Sequence, residues 1–293
     1  MQLWHAILLG LIQGLTEFLP VSSTAHLTLA EHLLIGRGMP LAFDVLLHVG
    51  TLLALVVYFR KELGRVALGL AGKDVEGRRL ALWLLLAMIP TGILGLATRT
   101  VKEAAKDHLW VYGLGLLLTA WMLFAANERS KEKPGQDLEA MTAKDALAVG
   151  AIQGLGGGFG LSRSGSTIAV GVFRGLKLPA SARFSFLLGI PTIAAAALVE
   201  TKDLVKSLLK HQPLPAELAF PGGGVSPAVA CAVGVLVSAA AGYLAIGLLD
   251  RFTTQPKLNG FAFYCLCMGA LLLILGTVGV EGFKYVHGMP ATR

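Results

Sequence analysis

The sequence predicts an all-α integral membrane protein: an inverted-topology repeat with six transmembrane helices and two re-entrant helical hairpins. Three observations carry that expectation. The chain is 55% hydrophobic and only 15% charged, where a soluble domain carries about 25% charge; its mean hydropathy is +0.68. Two apolar runs are broken by polar, glycine-bearing stretches, around residues 13–26 and 153–167. The two halves of the chain match each other at a nearly constant offset.

Each element has its own signal. Leu3–Leu19 is apolar but interrupted by Gly10, Gln13, Gly14, Glu17 and Pro20, and the polar turn Ser22-Ser23-Thr24-Ala25-His26 leads into a second short apolar piece ending at Ile35. This reads as two half-helices joined by a loop, a hairpin that enters and leaves on one side. Ala42–Phe59, Leu80–Ala97 and Trp110–Ala126 are spans of close to the ~20 residues a bilayer requires, the first ended by Arg60-Lys61. Trp110 and Trp121 suit interfacial positions. The stretch Asn127–Asp145, with Glu128, Arg129, Lys131, Glu132, Lys133, Pro134 and Gly135, is a polar linker. Ala146–Gly175 is the second broken hairpin, and Phe184–Glu200, Pro227–Leu249 and Leu258–Val280 are the remaining spans. The organisation is one membrane domain: repeat one over 1–127, a linker over 128–145, repeat two over 146–293.

The repeat rests on particular matches. An offset of 140 places Ala6 on Ala146, Gly10 on Gly150, Ile12-Gln13-Gly14-Leu15 on Ile152-Gln153-Gly154-Leu155, and Ser22 on Ser162; an offset of 141 places Phe43 on Phe184, Leu46-Leu47 on Leu187-Leu188, Thr51 on Thr192 and Lys61 on Lys202. Three crossings per half are odd in number, so the second half enters from the opposite side. Broken segments in corresponding positions of such halves point to a central binding site.

The net charge is +7, but the basic residues sit between apolar runs rather than on a soluble stripe, which argues against nucleic acid as a partner and for membrane topology. One side gathers Arg60, Lys61, Arg65, Lys73, Arg78, Arg79, Arg129, Lys131, Lys133, Lys144, Arg174, Lys177, Arg183, Arg251 and Lys257; the other gathers Arg37, Arg99, Lys102, Lys106, Lys202, Lys206, Lys210, Lys284 and Arg293. The richer side is expected in the cytoplasm, with both termini outside. The start of the chain lacks the basic segment and small-residue cleavage site of a removed signal peptide. Cys231, Cys265 and Cys267 all fall in apolar runs without zinc-type spacing and read as packing residues.

The candidate chemistry sits in the two breaks. Gln13 and Glu17 are four apart and share a helix face; Ser22, Ser23, Thr24 and His26 follow. The second break supplies Gly160, Ser162, Arg163, Ser164, Ser166 and Thr167. Glycine lets backbone approach a ligand, closely spaced hydroxyls and amides suit phosphate oxygens, and a guanidinium can clamp two of them. If the two tips meet, Glu17 or His26 handles protons, Arg163 neutralises charge, and a hydroxyl or His26 attacks phosphorus. Each has a plainer reading: Glu17 as the buried partner of Arg163, His26 as a core histidine, the serines as ties for re-entrant backbone. His48, in a polar break of the first span, is equally a helper of the site or a packing residue.

On these residues the chain resembles the undecaprenyl-diphosphatase family, membrane lipid pyrophosphate phosphatases associated with bacitracin resistance. The motifs are Gln13-Gly-Leu-Thr-Glu17-Phe-Leu-Pro-Val-Ser-Ser-Thr-Ala-His26 and Gly160-Leu-Ser-Arg-Ser-Gly-Ser-Thr167. The resemblance implies hydrolysis of undecaprenyl diphosphate to the monophosphate, which recycles the lipid carrier of peptidoglycan synthesis in the bacterial inner membrane. The family's acidic motif matches Gln13 and Glu17, its histidine His26, and its Ser-Arg-Ser Ser162, Arg163 and Ser164; the candidate catalytic residues are Glu17, His26, Arg163 and Ser23. Gln13, Ser22, Thr24, Ser162, Ser164, Thr167 and Gly160 would hold substrate. Glu17 would ligate a divalent cation, Mg2+ or Ca2+, and the site would be reached from the periplasmic side. A polyprenyl diphosphate lipid is the expected partner; a homodimer is open. One departure is visible: the family's second motif usually begins Pro-Gly, and here it is Phe159-Gly160. The rival class is a transporter or flippase of a phosphorylated polyprenyl lipid, since inverted repeats with broken helices are a transporter architecture. A structural subunit would leave the buried polar groups without a purpose.

Overall fold

The computed structural model describes residues 2–35, 41–105, 108–133, 135–156, 158–200, 225–254 and 257–277. Among them the chain forms twelve α-helices: α1 (Leu3–Phe18), α2 (Ser23–Ile35), α3 (Leu41–Tyr58), α4 (Arg60–Leu70), α5 (Val75–Ala97), α6 (Arg99–Ala105), α7 (Leu109–Glu132), α8 (Ala143–Leu155), α9 (Arg163–Phe173), α10 (Leu178–Glu200), α11 (Pro227–Thr253) and α12 (Asn259–Thr277), with one 3₁₀ turn at Leu138–Ala140. Arg37, Lys106, Lys202, Lys206, Lys210, Lys284 and Arg293, and the 278–280 end of the last expected span, lie outside the described residues.

Among the described residues five segments are long and apolar enough to cross a bilayer: Val75–Ala97, Leu109–Glu132, Leu178–Val199, Ala228–Thr253 and Asn259–Thr277. A sixth forms if Phe43–Tyr58 and Arg60–Leu70, bent by 75°, count as one span. The sequence reading stopped this span at Arg60; the chain instead turns at Phe59 and continues as α4. The reason is charge. Arg60, Lys61, Glu62 and Arg65 give α4 a polar face, while Leu63 and Val66 pack on the core. Likewise α7 runs five residues past the expected start of the linker, to Glu132, where Arg129 and Lys131 in the last turn favour the helix C-terminus.

Both predicted breaks are real. The first hairpin is α1, a turn through Leu19–Ser22, and α2. The second is α8, a loop through Gly156–Leu161, and α9. α1 packs on α11 and α8 on α5; α7 packs on α12 and α3 on α10. Small residues permit these approaches: Gly113 of α7 lies against the Gly269 carbonyl of α12, where an added Cβ would stand 2.8 Å away. Tyr112, Phe18, Phe43, Phe184, Leu47 and Leu55 are fully buried, and the Phe18 and Phe186 rings meet edge to face, 5.8 Å apart.

Five cations of the side expected to be richer bond to neighbouring acids or to a carbonyl. Arg65 Nε donates to Asp74 Oδ2 at 3.1 Å, Arg79 Nη1 to the Glu139 carbonyl at 2.6 Å, Arg174 Nε to Asp145 Oδ1 at 2.9 Å and Lys177 Nζ to Asp137 Oδ2 at 2.5 Å. Arg183 pairs with Glu62. These bonds tie α4, the start of α5, the 133–142 linker and the α9–α10 turn together.

Candidate active site

The site forms where the two hairpin tips meet. Pro20, which cannot donate a helical hydrogen bond, ends α1, and the chain turns through Val21, whose N–H donates to the Leu19 carbonyl at 2.7 Å. Ser22 then adopts φ 67°, the left-handed region that costs a non-glycine residue about 1 kcal/mol. That turn brings Ser23 back onto the last turn of α1. Ser23 Oγ donates to Glu17 Oε2 at 2.5 Å, and Gln13 Nε2 donates to the same oxygen at 3.0 Å.

The second tip is held by its own sequence. Gly158 and Gly160 have φ of 82° and 75°, and Gly160 lies so close to α7 that an added Cβ would stand 2.4 Å from Tyr112 Cα. Gly115 of α7 makes room for the Phe159 carbonyl, and the Thr119 hydroxyl accepts from Ser162 N at 3.0 Å. Ser162 caps α9, its Oγ accepting from Gly165 N at 3.2 Å. Phe159, standing where the resembled family has proline, is covered by the Lys102 ammonium, 5.8 Å from its ring centre; Lys102 Nζ also donates to the Gly154 carbonyl at 2.7 Å. The loop is thus fixed by α6 and α7 instead of by a proline.

The tips are joined by charge. Arg163 Nη2 donates to Glu17 Oε1 at 2.7 Å, with side-chain exposures of 18% and 6%. A carboxylate this buried is tenable only when paired. His48, from the middle of α3, completes the shell: its Nδ1 donates to the Asp44 carbonyl at 2.8 Å, turning Nε2 to within 3.6 Å of Glu17 Oε2. Ser164 Oγ, donating to the Leu19 carbonyl at 3.2 Å, makes a second link between the tips.

These groups open onto a cavity of about 260 Å³ lined by Glu17, Ser22, Ser23, Thr24, His48, Ser162, Arg163 and Thr192, with Val45, Leu161, Ile193, Ala196 and Ala197 forming its apolar side. The remaining predicted residues sit around it. Gln13 is behind Glu17. Gly160 is the turn against α7. Thr167 is fully buried, donates to the Arg163 carbonyl at 2.7 Å and shares a hydrogen bond with Ser185 of α10 at 2.6 Å. His26 faces away from the cavity: Nδ1–H donates to the Ser22 carbonyl at 2.8 Å, Nε2 takes the Tyr264 hydroxyl, and the ring stacks on Tyr264 with centres 5.6 Å apart.

Sequence reasoning passed over Gly189 and Thr119. A methyl on Gly189 would stand 2.4 Å from Arg163 Nη1, so this glycine is the space the guanidinium occupies. Nothing in an apolar run marks one glycine among several for that task. Thr192 had a signal, its match to Thr51; its Oγ1 accepts from Gln153 Nε2 at 2.9 Å.

A carboxylate, a guanidinium, an imidazole and five hydroxyls around one cavity at a helix N-terminus can bind phosphate oxygens and move a proton at a hydroxyl. Comparison with known proteins agrees in kind. The family described as "Bacitracin resistance protein BacA" matches residues 6–271. The chain is similar to the undecaprenyl-diphosphatase of Desulfosudis oleivorans, 37% identical over 290 residues covering 93% of this chain and 98% of that protein. It is 37% identical over 281 residues to that of Syntrophotalea carbinolica, covering 94% and 100%. To undecaprenyl-diphosphatase 1 of Streptomyces avermitilis it is 35% identical over 285 residues, covering 93% and 96%.

Proposed function

The chain belongs to the bacitracin resistance protein BacA family, and from that premise we propose that it is a membrane enzyme hydrolysing undecaprenyl diphosphate to undecaprenyl phosphate and inorganic phosphate, so returning the carrier to peptidoglycan synthesis. The observation that carries this reading is the Glu17 carboxylate held between Arg163 and the Ser23 hydroxyl in one cavity.

The chain's own groups divide the work. Val45, Ile193, Ala196 and Ala197 form the apolar wall beside which the lipid end of the substrate lies. Arg163, with the first N–H groups of α9, takes the diphosphate oxygens. Ser23 Oγ, already hydrogen-bonded to Glu17, gives its proton to that carboxylate and bonds to the terminal phosphorus. The bond from that phosphorus to the bridging oxygen breaks, and the lipid monophosphate leaves. The oxygen of a water then bonds to the phosphoserine phosphorus as the Oγ–P bond breaks; Glu17 returns its proton to Ser23 Oγ, and inorganic phosphate leaves carrying the water's hydrogens. His26 supports the Ser22 turn through its bond to that carbonyl, and His48 stands behind Glu17.

A divalent cation, Mg2+ or Ca2+, belongs to this reading. Gln13 Oε1 is a buried carbonyl oxygen with no partner, beside the Glu17 carboxylate; both are hard oxygen donors of the kind these ions take. Among the described residues no three His, Cys, Asp or Glu side chains gather to cage a metal. Glu17 and Gln13 would therefore hold the ion together with diphosphate oxygens and water, the usual manner for magnesium. Bound there, it would neutralise charge on the phosphoryl oxygens.

The inner membrane, with both termini outside and the inverted repeat over 1–127 and 146–293, completes the proposal. The mutual packing of α1 with α11 and of α8 with α5 supports the repeat. The test is phosphate release from undecaprenyl diphosphate by purified protein in detergent, with Ser23→Ala alongside. Release by the native protein and its near-complete loss in Ser23→Ala are expected. Lipid movement in vesicles without phosphate release would establish the transporter class instead.

A further inference from the structure

A second cavity, of about 390 Å³, opens at the far end of α9 and α10 from the site above. Arg163 begins α9 and Val172 near its end lines this cavity, nine residues and about 14 Å along the helix axis. Its walls are the end of α7 (Arg129, Ser130, Lys133), the linker at Gly135-Gln136, the α9–α10 turn (Gly175, Leu176, Lys177), the first residues of α10 and the end of α11 at Thr253 and Thr254. Three cations and no carboxylate are among these lining residues. The contrast with its neighbour on the same face is direct. That smaller cavity, about 60 Å³, is lined by Arg65, Arg79 and Arg183 together with Glu62, Glu76 and Glu139, and its charges cancel.

Partners within the protein do not remove the excess. Lys177 pairs with Asp137 at 2.5 Å, and Lys131, beside the cavity, pairs with Glu128 at 2.7 Å; Arg129 and Lys133 make no salt bridge among the described residues. The hydroxyls of Ser130, Thr253 and Thr254 donate to carbonyls of their own helices, leaving oxygen lone pairs and the two free cations to meet a ligand. The first turn of α10, a 23-residue helix, adds its positive dipole end. Val172, Leu176, Leu178 and Pro179 give the same cavity an apolar wall.

We infer that this cavity binds the phosphate headgroup of an anionic membrane lipid, with Arg129 and Lys133 as the cations that hold it. The shared chemistry is a phosphate oxyanion, and inorganic phosphate is the other source of it. The apolar wall and the place of the cavity, at the ends of three membrane helices on the cation-rich face, favour the lipid. A phosphodiester there would clamp α7, the α9–α10 turn and α11 together at the end of the molecule remote from Glu17.

The experiment reads binding and not turnover, so its failure leaves the phosphatase reading standing. Delipidated full-length protein in neutral detergent is titrated with phosphatidylglycerol, with phosphatidylcholine, and separately with inorganic phosphate, following the thermal midpoint and lipid retention by native mass spectrometry. Phosphatidylglycerol is expected to raise the midpoint and remain bound. Arg129→Ala/Lys133→Ala, which breaks no bond described here, should bind it about thirtyfold more weakly. Arg60→Ala/Lys61→Ala removes the same charge on the same face outside the cavity and should bind it as the native protein does. Equal loss in both double variants, or an equal response to phosphatidylcholine, would overturn the site. A shift with inorganic phosphate and none with phosphatidylglycerol would overturn the lipid as its occupant.

Discussion

Arg163 reaches Glu17 through one arm of its fork while the other occupies the space left by Gly189. Arg163→Lys keeps the charge but replaces a planar, two-armed donor with a point charge. Its kcat/KM for undecaprenyl diphosphate should fall about 30- to 1,000-fold, by the 2–4 kcal/mol or so a preorganised donor supplies in a dry site; near-normal turnover in folded protein would end the clamp role. Gln13 gives a finer test. Its amide donates to Glu17 Oε2 at 3.0 Å, so Gln13→Glu sets a second carboxylate against the first. Such a pair is relieved by a shared cation. The variant should be active at saturating magnesium and lose activity more steeply than the native protein as magnesium is withdrawn. Glu17→Gln should release almost no phosphate at any magnesium level. Gln13→Glu dead throughout the titration would remove the cation from these two residues.

At the scale of helices, the pairing of His48 with Gly189 is instructive. They are 141 positions apart, the offset that joins Phe43 to Phe184, yet one fills space beside Glu17 and the other empties it beside Arg163. Gly189→Val should fold, since valine suits a helix better than glycine and the crowded neighbour is the Arg163 side chain and not backbone. Its side chain would displace the guanidinium, and turnover should drop at least about tenfold with a smaller change in thermal midpoint. A thermal midpoint that collapses while residual folded protein turns over normally would make Gly189 a packing residue only. The motifs at 13–26 and 160–167 were legible because polar residues inside apolar runs are conspicuous. The division of labour within them was not: Ser164 and Thr167 bond to backbone and to Ser185, and nothing in a row of hydroxyls separates those facing a cavity from those facing a neighbouring helix. α4 and α6 escaped because short charged stretches carry no span signal; α4 packs on the core through Leu63 and Val66, and α6 on the Phe159 loop through Lys102.

For the molecule as a whole, α5 is the ruler. It runs 23 residues from Val75 to Ala97, so Lys73 and Thr100, both exposed, stand on opposite sides of the bilayer. Single cysteines at these positions, in a background lacking Cys231, Cys265 and Cys267, should label differently in intact cells. An impermeant thiol reagent is expected to reach Thr100→Cys, and Lys73→Cys only after permeabilisation; the reverse pattern would invert the topology. The spans themselves could be read from hydropathy, because lipid imposes one requirement on every residue of a crossing helix. Which helices touch could not, since Gly113 and Gly269 look like any other glycine until their backbones meet.

The bond between Glu17 and Arg163 spans 146 residues of chain, and that distance is also a delay. At about 5–20 residues per second, the ribosome makes the acid roughly 7–30 s before its counter-ion. A lone carboxylate does not settle stably in hydrocarbon, so the first hairpin is expected to take its final depth only after Arg163 has been made. Chains truncated after Asn127 should leave Ser23→Cys open to an aqueous thiol reagent, whereas the full-length chain reacts far more slowly. Equal protection in the fragment would mean that the first half closes by itself.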